Sequence, residues 1–295
     1  MSQASAMTGD DLEVLLDDAH FCVVQKPINM VVVKGRGVPR PTLLDLAQEK
    51  FGEGVLPVHR LDRVTSGCTC FAKTKFGQQA LSEAFRRRQV DKRYLALVEG
   101  QPEFKKLAVD ARLKRIDNPD ARKGALAWQT IDDDGQRALT RLRVLATGAR
   151  YSVVECRPET GRMHQIRVHL AHVGHPIVGD ALYGATSELL PHAVGLHALA
   201  ISLPKPKGGR AYANAPLPQH WLDILDDDGI DPKDVIDKAL SKFGPKDGGA
   251  KDAGDGRRPT AKKAPPKSLR AQREEAAQQR GAKPAKGKPQ RRRRR

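Results

Sequence analysis

The character of this 295-residue chain changes near residue 244, and that change limits how much of the chain can fold. Residues 241–295 contain 19 Lys and Arg against 5 Asp and Glu, together with many Pro, Gly and Ala and almost no large apolar side chains. Such a segment cannot bury enough apolar surface to offset the entropy lost when a chain becomes ordered. We therefore expect residues 244–295 to be a disordered, Lys- and Arg-rich tail that follows the folded part.

Most of the positive charge of the chain lies in this tail. The formal net charge is +17, but the residues before 241 contain 33 Lys and Arg against 30 Asp and Glu. The tail can bind RNA phosphates by counterion release, without sequence preference, or it can serve only as a solubilising extension, and the sequence favours neither interpretation. Because the remainder is nearly neutral, a nucleic-acid function of the folded part depends on its own site.

Cysteine usage and the N-terminus indicate the compartment. The four cysteines form neither a disulfide framework nor paired CxxC zinc motifs, which favours a reducing cytoplasm. Residues 1–12 lack the basic start and apolar run of a signal peptide. No stretch approaches the roughly 20 apolar residues that a membrane helix needs. We therefore expect a cytoplasmic protein that makes no membrane contact.

Apolar patterning predicts strands and helices that do not alternate regularly. Strands are predicted at residues 13–16, 21–24, 67–73, 94–100, 138–145, 152–157 and 196–203. Helices are predicted at residues 42–51, 76–88, 163–173 and 231–243, with Thr42 capping the first. Residues 101–124 show little periodicity and are predicted to be a loop-rich excursion. This mixture favours an α+β domain, which we place at residues 12–230.

The first motif with chemical potential places Asp62 between two arginines, Arg60 and Arg63. Neighbouring cations favour the ionised form of a carboxylate, and an ionised carboxylate can act as a nucleophile or a general base. A salt-bridged acid in a turn has the same pattern, and charged turns are mostly structural. Spacing alone therefore favours the structural interpretation.

The second motif is Tyr94, which opens a predicted strand directly after two cations. A tyrosine in this position can stack on a nucleic-acid base, which is worth roughly 1–3 kcal/mol per base. It can equally pack into the core like any strand aromatic. Without further information the core interpretation is favoured.

The third motif covers residues 159–170, where Thr160 and Gly161 resemble a helix start. His164 and Arg167 lie three positions apart, so on a helix they share a face and can offer a ring and a cation to a cleft. The histidines at positions 164, 169, 172 and 175 also invite a zinc interpretation. They lack an acidic or cysteine ligand at the usual spacing, so we expect no metal site.

Together these motifs resemble the signatures of the RluA-type pseudouridine synthases. The resemblance rests, in the family's order, on Val24–Met30, His59–Asp62 with Thr65–Gly67, Lys92–Ala96, Thr160–Arg167, His175–Gly184 and Leu196–Ala198. It spans roughly residues 12–220. Asn29 stands where the family usually has glycine, and both residue types tolerate left-handed backbone.

The resemblance implies a role for four residues. Asp62 corresponds to the catalytic aspartate, and Tyr94 to the active-site tyrosine that packs on the target base. Arg167 corresponds to an arginine that forms an ion pair with that aspartate. Arg60 corresponds to a residue that fills the space left by the flipped nucleotide. The implied fold is the pseudouridine synthase fold, with a mixed, mainly antiparallel sheet and a central catalytic cleft.

The implied reaction converts specific uridines of structured RNA, either rRNA or tRNA or both, into pseudouridine. Substrate and product are isomers, so the resemblance implies no cofactor. The chain starts almost at the catalytic domain, so we expect a free-standing member without the S4-type RNA-binding domain of many relatives. We also expect a monomer.

Two other classes of protein fit parts of the pattern. A non-catalytic RNA-binding or ribosome-assembly factor would keep the basic tail, but it would have no reason to keep Asp62, Tyr94 and Arg167 together. A glycoside hydrolase also cleaves a bond at an anomeric carbon, but it usually needs two carboxylates. Here Glu159 and Asp180 are weak candidates for the second.

Overall fold

A computed structural model describes residues 7–35, 40–118, 127–190, 193–241 and 243–244. Except for residue 244, the predicted tail therefore lies outside the described residues. Within the described part, eleven strands form one sheet with the order β1-β2-β4-β10-β5-β9-β8-β6-β7, while β3 pairs with β4 and β11 with β10. The strands are β1 Val14–Asp17, β2 Phe21–Lys26, β3 Leu56–Pro57, β4 Ser66–Ala72, β5 Asp91–Glu99, β6 Lys106–Asp117, β7 Ala127–Ile131, β8 Gln136–Thr147, β9 Tyr151–Pro158, β10 Leu196–Pro204 and β11 Arg210–Asn214.

The sheet is mixed but mainly antiparallel. Strands β4 and β10 pair in parallel, and the other strand pairs are antiparallel. Five helices accompany the sheet in the described residues, and they are α1 Leu43–Phe51, α2 Lys75–Arg86, α3 Gln165–His172, α4 Gln219–Asp227 and α5 Pro232–Leu240, with a short 3₁₀ helix at Ala181–Tyr183. The predicted α+β class and mainly antiparallel sheet are therefore confirmed.

Local sequence signals correctly predicted several features of the fold. Thr42 caps α1 as predicted, because its side chain accepts from the backbone N–H of Asp45 while the Asp45 carboxylate accepts from the backbone N–H of Thr42. Asn29 adopts a left-handed conformation with φ of 63°. The strands predicted at residues 13–16 and 21–24 correspond to β1 and β2, which pair antiparallel.

Two predictions of secondary structure were wrong. Residues 106–117 form the long strand β6 instead of a loop-rich excursion. Leu107, Val109, Ala111 and Leu113 alternate with charged or small residues, as in a strand with one buried face, but this short pattern lies within a polar, basic segment and was not recognised. In addition, α3 begins at Gln165 and not near Thr160. The Thr160 hydroxyl instead donates to the Gln165 side chain at 2.7 Å, bracing the loop before the helix.

The packed core also continues beyond the domain boundary predicted near Ile230. Val235 and Ala239 of α5 are fully buried in the same cluster as Trp221 and Ile230. Val235 and Ala239 lie four positions apart, so on a helix they share a face, and this spacing is visible in the sequence. Whether that helix face packs against the core depends on the tertiary fold. Among the described residues no helix is long and apolar enough to cross a membrane.

The central strand β5 connects the core to the site. Its residues alternate between the two faces of the sheet. Leu95 and Leu97 pack with α4 and α5 on one face, whereas Ala96 and Val98 pack with α3 on the other. Tyr94 belongs to the second set and lies at the start of the strand, so its ring reaches the space beside α3.

Candidate active site

A cavity of about 1040 Å³ opens on the α3 side of the central sheet. Asp62, Tyr94, Arg167 and Arg60 all line it. These residues come from three separate parts of the chain, namely the loop between β3 and β4, the start of β5, and α3. The structure therefore brings together the four residues singled out in the sequence.

Asp62 lies on the loop that leads into β4. The loop turns tightly, because the backbone N–H of Thr65 donates to the Asp62 carbonyl at 3.0 Å. The neighbouring Leu61 is buried and fixes the loop against the core. The Asp62 side chain remains 27% exposed, and Nε2 of His164 lies 3.9 Å from its Oδ2.

A buried lysine anchors the same loop. Lys26 ends β2, is fully buried, and donates from Nζ to the carbonyls of Pro27, Met30 and Arg63 at 2.9, 2.7 and 3.0 Å. Burial lowers the pKa of Lys26 to about 7, while the nearby Asp62 carboxylate opposes that shift. The bond to Arg63 ties the Asp62 loop to the end of β2. Sequence patterning gave no sign of this tether, because its acceptors are backbone atoms.

Tyr94 is half-buried between two core clusters beside Asp62. Burial raises the pKa of its hydroxyl, and the negative charge of Asp62 raises it further. The phenol is therefore protonated at neutral pH. Its ring lines the cavity and offers an aromatic surface to a planar ligand.

The expected ion pair between Arg167 and Asp62 is absent from the contacts of the described residues. Arg167 instead forms a bidentate pair with Asp180, with Nε to Oδ2 and Nη2 to Oδ1 both at 2.7 Å. Both side chains are buried, and a buried carboxylate needs a charged partner of matching shape. Burial opposes ionisation of Arg167, but Asp180 and, more weakly, Asp62 raise its pKa overall. Arg167 therefore acts on Asp62 only through space.

His164 contacts a residue that the sequence analysis did not single out. Its Nδ1 lies 2.8 Å from the hydroxyl of Tyr183, which also accepts from the backbone N–H of Gln129 at 3.0 Å. His164 precedes α3 in a left-handed conformation, with φ of 53°, so it does not share a helix face with Arg167 as predicted. Burial and the Arg167 charge lower the pKa of His164, and Asp62 opposes them. The motif around Tyr183 was recognised, but its partner lies 19 positions away in sequence.

The cavity carries an excess of positive charge that the whole domain lacks. Its lining residues include eight Lys and Arg but three Asp and Glu. Arg60 is exposed, and within the described part of the chain its side chain forms neither a hydrogen bond nor an ion pair. A concave surface of one charge attracts a polyanion, so the folded part itself suits a phosphate backbone.

The glycosidase interpretation loses support from this geometry. Glu159 pairs with Arg141, and Asp180 pairs with Arg167, so both candidate second carboxylates are engaged. Among the residues with described positions, no cluster of three His, Cys, Asp or Glu is placed to hold a metal ion. Two of the histidines instead face oxygen atoms, with Nδ1 of His169 beside Thr140 and Nδ1 of His175 beside the Glu99 carbonyl.

Known proteins show similarity over most of the described domain. The family model described as RNA pseudouridylate synthase matches residues 20–172. An uncharacterised RNA pseudouridine synthase of Zymomonas mobilis is 38% identical over 215 residues, which is 72% of this chain and 96% of the relative. The ribosomal large subunit pseudouridine synthase D of Xanthomonas campestris is 38% identical over 227 residues, covering 70% of this chain and 66% of the relative.

A solved structure supports the same assignment. The structure of human RNA pseudouridylate synthase domain containing 1 is 28% identical and superimposes with a TM-score of 0.61, covering 72% of this chain and 86% of that chain. The family model extends from β2 through α3, so it includes the loop of Asp62, the strand of Tyr94 and the helix of Arg167. The chain therefore belongs to the RluA-type RNA pseudouridine synthases, a family of isomerases.

Proposed function

We propose that Asp62 is the catalytic carboxylate with which this pseudouridine synthase isomerises uridines of structured RNA, with rRNA as the first substrate to test. One observation carries the proposal. Of the carboxylates that line the cavity, Asp91 and Glu159 are hydrogen-bonded to arginines, whereas Asp62 has no hydrogen-bonded ion-pair partner among the described residues. Asp62 is therefore the carboxylate left to meet a substrate.

The reaction requires the bond between C1′ and N1 of uridine to break and a bond between C1′ and C5 to form. The hydrogen on C5 leaves and N1 gains one, so no atoms are gained or lost overall. An ionised carboxylate beside the sugar can assist either as a nucleophile at C1′ or as a base at C2′. Both routes place Asp62 within contact distance of the ribose.

Tyr94 and the cations of the cavity suit the remaining requirements. The target nucleotide has to leave its stack, at a cost of a few kcal/mol, and an aromatic surface offsets part of that cost. We assign this role to the ring of Tyr94, which borders Asp62. Arg60 lines the cavity and is exposed, and its guanidinium has no hydrogen-bonded partner among the described residues, so it can occupy the gap that the extruded base leaves.

Support for rRNA comes from the name of a relative and from the structure of large RNAs. The Xanthomonas relative carries the name of a ribosomal large subunit enzyme. Sequence-specific RNA recognition concentrates in loops and bulges, where a base is already partly unstacked. Large RNAs such as rRNA offer many of these sites.

The test uses rRNA transcripts that carry uridine tritiated at C5, because each turnover releases that hydrogen to water. Asp62→Asn keeps the size of the side chain and should abolish release while the Kd for the transcript is unchanged. Asp133→Asn is the matched control, since Asp133 is exposed and outside the cavity. Substantial turnover by purified Asp62→Asn protein would refute the catalytic assignment.

A map of pseudouridine in cells with and without this gene identifies the substrate. Loss of specific rRNA signals, restored by the wild type but not by Asp62→Ala, would establish the target. If the lost pseudouridine signals are confined to tRNA, the substrate is tRNA and not rRNA. No change in either RNA would favour the RNA-binding alternative.

A further inference from the structure

A chain of polar contacts leads from Asp62 to the backbone of β7. The Asp62 carboxylate faces His164 Nε2 at 3.9 Å, His164 Nδ1 lies 2.8 Å from the Tyr183 hydroxyl, and that hydroxyl lies 3.0 Å from the backbone N of Gln129. Each member belongs to a different part of the fold. The chain ends on a backbone atom of the sheet, which gives it a fixed origin.

The fixed end of this chain favours one assignment of its donors. The backbone N–H of Gln129 can only donate, so the Tyr183 oxygen accepts there. The phenol keeps its own proton, because burial raises the pKa of Tyr183 to about 12, so it can donate that proton to His164 Nδ1, which lies 2.8 Å away. A neutral imidazole that accepts at Nδ1 carries its hydrogen on Nε2. Nε2 is the ring nitrogen that lies 3.9 Å from Oδ2 of Asp62.

The surroundings of the ring favour its neutral form. The charged groups that face it are Arg167 from α3, Asp180 from the start of the 3₁₀ helix, and Asp62 and Arg60 from the loop before β4. Burial is the largest influence on the pKa of His164 and lowers it. A neutral ring can bind the Tyr183 hydroxyl at one nitrogen and a carboxylate at the other, whereas the imidazolium has no acceptor left for Tyr183.

The backbone conformation of His164 and its neighbouring side chains hold the imidazole ring in one orientation. His164 holds a left-handed conformation that residues with side chains seldom adopt, and Asn adopts it more readily than most. The Tyr183 ring packs edge-on against the imidazole, with centroids 5.6 Å apart. Arg167 cannot take the place of His164 beside Asp62, because its guanidinium is held by Asp180.

We propose that His164, held by Tyr183 with its proton on Nε2, is a positioning residue that donates to Oδ2 of Asp62 and leaves Oδ1 to react with the ribose. This inference rests on the proposed role of Asp62. In the free enzyme the two atoms are 3.9 Å apart, and such contacts often shorten when substrate is bound. No proton is transferred along these polar contacts, so His164 only fixes the orientation of the Asp62 carboxylate.

The first experiment is nitrogen NMR of the free, full-length protein labelled with ¹⁵N-histidine. The His164 signal is identified by its loss in His164→Asn, and its two nitrogen shifts should show a hydrogen on Nε2. Tyr183→Phe removes a hydrogen bond that His164 can accept at Nδ1 only when its ring is neutral. The pKa of His164 should therefore rise, and in the neutral ring the hydrogen should be found on both nitrogens instead of on Nε2 alone. Tyr151→Phe is the control, since Tyr151 is a buried tyrosine with a hydroxyl partner outside the cavity. A hydrogen on Nδ1 in the wild type, or no response to Tyr183→Phe, would overturn the inference.

The second experiment measures single-turnover tritium release from the same C5-labelled rRNA transcripts. His164→Asn keeps a residue suited to the left-handed backbone but removes the atoms that reach Asp62. Its rate should fall about tenfold or more, with an unchanged Kd for RNA, and the longer His164→Gln should recover part of the loss. An unchanged rate, or a loss explained by weaker binding, would contradict the proposal. If Asp62→Asn is active, the catalytic assignment fails, while the NMR result still decides the tautomer.

Discussion

Replacing Asp180 with Asn tests whether the buried pair with Arg167 holds this part of the fold together. Both side chains are almost fully enclosed, with 7% of Arg167 and 1% of Asp180 exposed. Asn keeps the size of the side chain but removes the charge, so Arg167 is left as a buried cation without its bidentate partner. Removing one member of such a pair costs about 3–5 kcal/mol of unfolding free energy. For a domain of this size that loss lowers Tm by roughly 6–20 °C.

The protein contains a matched control for this substitution. Arg137 and Asp110 form a pair with the same bidentate geometry, Nε to Oδ1 at 2.9 Å and Nη2 to Oδ2 at 2.6 Å, but their side chains are 64% and 45% exposed. Asp110→Asn should therefore cost less than about 1 kcal/mol. Comparing the two variants separates burial from hydrogen-bond geometry.

The assay is urea unfolding followed by far-ultraviolet circular dichroism, with a double-mutant cycle of Asp180→Asn and Arg167→Met. Because Met removes the stranded cation, the double variant should be less destabilised than the sum of the single variants by at least about 1 kcal/mol. If Asp180→Asn costs no more than Asp110→Asn, the pair is effectively solvated and the reasoning from burial is wrong.

Three further predictions follow from the same structure. Burial lowers the pKa values of His169 and His197 to about 4, so the unfolded chain binds more protons below pH about 6.5, and each residue should reduce the unfolding free energy by about 1.4 kcal/mol per pH unit as pH falls toward 4. Urea titrations at several pH values check this, and His197→Gln should flatten the dependence. Tyr94→Ala should weaken RNA binding by roughly 1–3 kcal/mol in a filter-binding assay, whereas Tyr94→Phe should bind like the wild type, because stacking needs the ring alone. Deleting residues 245–295 should raise KM far more at low salt than at high salt if the tail binds phosphates, and equal KM values at both would exclude that role.

The sequence predicted those parts of the fold whose signals are local. The cap at Thr42 and the left-handed position at Asn29 depend on one or two neighbouring residues. Strand β5 was recognisable because both of its faces are buried in separate clusters. Strand β6 was missed because the short alternation over residues 107–113 lies within a polar, basic segment, so its pairing with β7 and β8 identifies it more clearly than its sequence does.

In the active site, too, features with a local sequence signal were predicted, and contacts that depend on the tertiary fold were not. Asp62, Tyr94 and Arg167 were found through motifs, and the fold places them around one cavity. The partner of Arg167 was predicted incorrectly, because motif order does not say which of two nearby carboxylates is more buried. Asp180 is 1% exposed and Asp62 27% exposed, so the guanidinium goes to the carboxylate that cannot be solvated.

That choice of partner links the stability of the site to its proposed chemistry. A direct ion pair with Arg167 would hold Asp62 ionised, but it would also occupy the oxygen atoms that have to approach the ribose. Because Asp180 binds Arg167, the positive charge of the guanidinium stays near Asp62 without occupying the oxygen atoms of Asp62. Asp180→Asn should release the guanidinium, and Asp62 is the other carboxylate that acts on it. Its single-turnover rate should then fall further than its stability at the assay temperature explains, and a folded Asp180→Asn protein with the wild-type rate would show that Asp180 serves stability alone.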